Sequence, residues 1–144
     1  MDVKARESMR RAAGKVAELF YNRLLGVRIA VLDELDQMVG VIANEIAETY
    51  INLFNEPPHL PDNIQVQIGN LPPGKAGGYK YPGENPYGTL IISEETLKGG
   101  PQWVRLVVIH ELCHAMIGDN VKDDHGAKFK TLATAVGLPE KLQD

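Results

Sequence analysis

The sequence predicts an α+β fold, in which helices flank a small sheet rather than alternating with its strands. Three observations predict it. The first third places apolar residues at three- and four-residue steps, and the middle alternates with period two. The last third returns to apolar helical runs separated by glycine and proline. The expected sheet is small, antiparallel or mixed, and packed on a long apolar helix, with further helices ahead of it.

In chain order, Val16, Leu19, Phe20 and Leu24 mark a first helical pattern over residues 3–25, with Gly26 as a candidate break or kink. Leu32, Leu35, Val39, Ile42, Ile46, Tyr50 and Leu53 put one apolar stripe on a second helix, from about Val31 to Phe54. Pro57 and Pro58 end it. Residues 1–30 are thus expected as an N-terminal helical extension and 31–144 as the domain proper. Ile64, Val66 and Ile68 alternate with Gln65 and Gln67, the pattern of a strand with one buried face. Residues 76–81 and 89–93 suit a hairpin across a turn-rich segment too long for a two-residue turn. Ser93 can cap a short helix over residues 94–98. Gly99, Gly100 and Pro101 break the chain. From Gln102 to Ile117 nearly every residue is apolar, as in a core helix, with Gly118 as its stop. A polar loop over 119–123 leads to a last helix near Asp124–Val136, striped by Phe129, Leu132, Ala133 and Val136.

Composition narrows the function classes. The chain has 144 residues, 44% of them hydrophobic and 24% charged, enough for one domain with a real core. Its single cysteine, Cys113, forms no internal disulfide and reads as a small core residue. The charged N-terminus has no apolar signal region, and no run is long enough to span a membrane, so an intracellular, cytoplasmic protein is expected. A stand-alone domain of this kind would suit a bacterial or phage protein, in the latter case in the host cytoplasm. Residues 1–30 carry seven Lys/Arg against three acids, and the remainder eight against sixteen, for a net charge of −4. The basic segment could meet nucleic acid or an acidic partner, but the acidic body argues against a broad phosphate-binding surface.

The chemistry concentrates in His110-Glu111-Leu112-Cys113-His114, an H-E-x-x-H motif. Residues four apart on a helix lie about 40° apart in angle and about 6 Å along the axis, so both imidazoles reach one ion. Glu111, about 100° round from His110, is better placed for a water molecule than for ligation and is the candidate general base. Burying two histidines and a glutamate in so apolar a helix is costly without such a purpose. A hydrolytic zinc site needs a third protein ligand and an open position. The downstream candidates are Asp119, Asp123, Asp124, His125 and Glu140. His125 is the choice: it opens the last helix, and Gly126 beside it would let two helices approach closely. Asp123 or Asp124 is the alternative ligand or an orienting partner. His59 is expected in a surface loop, Trp103 as a core anchor, and Tyr79, Tyr81 and Tyr87 in or beside the hairpin. Packing on the sheet is the expected role of these tyrosines, with donation to an oxyanion as the other.

The elements His110-Glu111-Leu112-Cys113-His114-Ala115 and His125-Gly126-Ala127-Lys128-Phe129 together resemble the SprT-like metallopeptidases, the Spartan-related family of zincins. Gly77-Gly78-Tyr79 through Gly88-Thr89-Leu90-Ile91-Ile92-Ser93 is similar to the hairpin ahead of that family's catalytic helix. The resemblance spans about residues 35–138 and is to the catalytic core, because the paired cysteines of a C-terminal zinc ribbon are absent. It implies a zincin-like fold and a Zn2+ ion on His110, His114 and His125. It also implies hydrolysis of a protein or peptide substrate, including DNA-associated protein. The rival readings are a non-catalytic zinc module that binds a protein or DNA partner, and a hydrolase of a non-peptide amide.

Overall fold

The period-two residues and the two apolar helical stripes become the elements of a computed structural model that describes residues 21–119 and 125–144. By internal contacts the chain divides into two units, residues 1–37 and 38–144. Helix α1, Tyr21–Phe54, is continuous through the boundary between them. Gly26, expected to break or kink the chain, sits inside this helix. A single interior glycine costs only about 1 kcal/mol relative to alanine, which 34 residues of helix absorb. The expected helix over 3–25 lies largely outside the described residues, and so does most of the basic segment proposed to meet a partner. Among the described residues no helix is long and apolar enough to cross a membrane.

Within the second unit, α1 buries Val39, Ile42, Ile46 and Tyr50 on the stripe read from the sequence, while Leu53 is exposed at its end. The helix stops at Asn55, whose positive φ of 53° turns the chain ahead of Pro57 and Pro58. His59 lies in the exposed loop that follows, its backbone N–H donating to the Met116 carbonyl at 2.9 Å.

Among the described residues the sheet is mixed and has three strands: β1 (Ile64–Gly69), β2 (Gly77–Lys80) and β3 (Gly88–Ser93), in the order β1-β3-β2. The expected hairpin is present, with Lys80 opposite Thr89 and Gly77 opposite Ile92. β1 joins the other side of β3 in parallel, with Ile64 opposite Gly88 and Ile68 opposite Ile92. β3 takes the middle because it is the most apolar strand: Leu90 and Ile92 are fully buried. β2 is left as an edge. Ser93 ends β3 and caps α2 (Glu94–Lys98), its Oγ accepting from the Thr96 N–H at 3.0 Å. The buried Thr96 hydroxyl donates to the Ala76 carbonyl at 2.7 Å, which ties this corner to the start of β2.

Helix α3, Pro101–Ile117, packs against both hairpin strands, α2 and the last helix. Proline at its first turn and glycine on either side set its ends. Gly118 is required twice over. Its φ is 88°, and a Cβ there would lie 2.9 Å from the His59 ring. The last helix, α4, runs Ala127–Ala135, shorter than the expected Asp124–Val136, and buries Phe129, Leu132 and Ala133. His125 therefore precedes the helix, with Gly126 as its N-cap. A short 3-10 turn, Glu140–Leu142, follows.

Candidate metal centre and cleft

Beyond its exposed first turn and Arg105, helix α3 is buried or faces a cleft. Trp103, Leu106, Val107, His110, Glu111 and His114 follow one another at three- and four-residue steps and line a cleft of about 400 Å³. Trp103 is thus a half-buried wall residue rather than the expected core anchor. Gly77, Gly78 and Tyr79 of β2 form part of the opposite wall, and His125, Lys141 and Leu142 enter from the C-terminal side.

At the cleft floor three imidazoles converge. The Nε2 atoms of His110 and His114 are 3.3 Å apart, those of His114 and His125 3.0 Å, and those of His125 and His110 3.3 Å. Nitrogens bound tetrahedrally at about 2.0–2.1 Å from one ion would be roughly 3.3–3.4 Å apart. The three side chains therefore form a group that could hold a metal ion, the one such group among the described residues. Asp119 and Glu140, also weighed as third ligands, are not part of it. Asp123 and Asp124 lie outside the described residues.

The neighbours of the triad orient it. The His110 Nδ1–H donates to the Leu142 carbonyl at 2.8 Å. That tautomer leaves the Nε2 lone pair facing the other two rings. Phe129 is buried against all three imidazoles, with centroid distances of 5.2, 4.6 and 5.1 Å to His110, His114 and His125. Three residues beyond His125, Lys128 Nζ pairs with Glu56 at 2.5 Å and lies over the Tyr50 and Phe54 rings, at 5.1 and 4.8 Å. This clasp holds the first turn of α4 against the end of α1. The Tyr50 hydroxyl donates to the same Glu56 carboxylate at 2.7 Å.

Tyr79 packs on the sheet, its ring lying over Gly88 of β3. Tyr79 and Tyr81 meet edge to face at 4.9 Å, and the Tyr81 hydroxyl donates to the His114 carbonyl at 3.2 Å. The Tyr79 hydroxyl is buried with no hydrogen-bond partner among the described residues. Burial, then the neighbouring Tyr81 and Asp119, push it up to about 12, so it stays a protonated donor. Cys113 is fully buried on the side of α3 away from the cleft. Burial, then the Glu111 carboxylate, push its thiol up to about 12, which suits a core residue rather than a ligand.

Gly77 sets the distance between β2 and the cleft helix. A Cβ there would lie 2.6 Å from Val107 Cγ1, 3.2 Å from the Ile91 carbonyl and 3.3 Å from Glu111 Cγ. Gly77→Val is therefore expected to push β2 off α3 and to destabilise the fold by about 1–3 kcal/mol. Thermal unfolding of the variant checks this, and an unchanged midpoint would show that the strand has room.

The sequence reading reached the triad and Glu111 but missed the Leu142 carbonyl. Every residue has a carbonyl, so no sequence signal singles that one out. The stripe Trp103-Leu106-Val107 was missed as well, Trp103 being expected in the core, although it extends the motif histidines by helical steps. No family model, curated protein or solved structure matches this chain.

Proposed function

We propose that the chain is a zinc-dependent metallopeptidase with a zincin-like fold, with His110, His114 and His125 as ligands and Glu111 as general base. The convergence of three Nε2 atoms on a cleft that Glu111 also lines carries this reading. Three imidazoles suit zinc, and three protein ligands beside a cleft suit a hydrolytic site, whereas structural sites take four. Bound zinc would polarise the substrate carbonyl and lower the pKa of its water to about 7. The Glu111 carboxylate, which lines the same cleft, would serve as general base: it would hold the proton of the attacking water and pass it to the leaving amine nitrogen as the C–N bond breaks. The Leu142 carbonyl holds His110 in the tautomer that presents Nε2.

The edge strand supports a peptide as substrate. Among the described residues β2 is paired on one side only and lines the cleft, and Gly77 and Gly78 bring no side chains to obstruct it. An extended peptide can add there as a further strand, its backbone bonded to β2. The test is hydrolysis of a fluorescently labelled unfolded protein by the zinc-loaded chain. Activity is expected, lost with a chelator and restored by zinc. Stoichiometric zinc without any hydrolysis of protein or short peptides would favour the non-catalytic module instead.

A further inference from the structure

Gln143 is one of three buried polar residues among those described, at 3% exposure, yet it lies just beyond a surface turn. Its side-chain amide uses both of its hydrogens. One is donated to the Leu138 carbonyl and the other to Thr134 Oγ1, each at 3.0 Å. Its backbone N–H donates to the Glu140 carbonyl at 3.1 Å. Both contacts of the amide are to the end of α4 and the residues that follow it. The residue immediately before it, Leu142, supplies the carbonyl that accepts from His110 Nδ1. A buried amide with both its donors satisfied holds its backbone in place, because a shift would strand its buried hydrogen bond to Leu138 and break the part-buried one to Thr134.

We propose that Gln143 is a positioning residue for the metal centre. It locks the Leu142 carbonyl onto His110 and so sets that imidazole's tautomer and aim. The inference rests on the metal-binding reading of the triad and adds a residue remote from it in sequence. Outer partners of this kind are worth about 10- to 100-fold in metal affinity.

The experiment compares the 144-residue chain with Gln143→Met, which keeps side-chain volume but removes both donors, and with Thr134→Val. Thr134 is exposed, so its variant loses one acceptor without threatening the fold. Zinc affinity is measured by chelator competition on the folded fraction. The protonation site of His110 is read from its imidazole nitrogen signals by NMR in the metal-free protein. Expected are a zinc affinity lowered about 10-fold or more in Gln143→Met, a smaller loss in Thr134→Val, and a His110 ring no longer held with its proton on Nδ1. Should Gln143→Met not fold, Thr134→Val decides. Affinities equal to the parent's, or an unaltered His110 tautomer, overturn the proposal while leaving the metal site intact. A parent chain that binds no zinc overturns both.

Discussion

Glu111→Gln is expected to lower kcat/KM for peptide hydrolysis by roughly 10²-fold or more, because a positioned general base contributes about that much and an amide accepts no proton at neutral pH. Zinc content should not change. The substitution is close to isosteric, and the side chain's place is set by its stem as much as by its charge. Gly77 of β2 is so near that an added Cβ would stand 3.3 Å from Glu111 Cγ, so strand and stem confine each other. Glutamine keeps that stem. The measurement pairs steady-state kinetics with metal analysis of the same preparation. Loss of zinc from the variant would make Glu111 a ligand rather than the base, and full activity would remove it from the mechanism.

His125→Ala is expected to have the largest effect on the metal and a visible one on stability. It removes one corner of the Nε2 triangle and the only corner not borne by α3. Its loss should exceed the roughly 10- to 100-fold that removing an outer partner costs. A ligand bound only by the folded state stabilises it by about 4 kcal/mol at a thousand times its Kd. Saturating zinc should therefore raise the parent's unfolding midpoint by several degrees and leave that of His125→Ala almost unmoved. Titration calorimetry and thermal melts check the two parts separately. Wild-type zinc affinity in the variant would mean that another group completes the site.

Local chemistry settled much of this protein. The stripe from Leu35 to Tyr50 made α1 a helix with one buried face, and it is buried there. Ser93 capped α2 through its own hydroxyl, and Gly118 ended α3 with the positive φ that glycine alone adopts freely. The spacing of His110 and His114 placed both on one helix face, since a four-residue step is close to one turn. Each of these depends on neighbours within a few positions, which is why residue order suffices.

What only the tertiary structure decided involves partners far apart in the chain. β1 could not be assigned a neighbour from its alternation, because period two fixes which face is buried and not which strand lies alongside. The parallel pairing with β3 arises because β3 is the more apolar strand and takes the centre, leaving β2 as the edge beside the cleft. Helix-start position favours His125 among five candidate ligands, but only the packing of α4 on α3, with Phe129 against all three rings, brings its Nε2 to the other two. The hold on His110 by the Leu142 carbonyl spans 32 residues and uses a backbone atom that every residue shares. Sequence pattern names side chains, whereas a backbone acceptor becomes specific only when folding carries it to its donor.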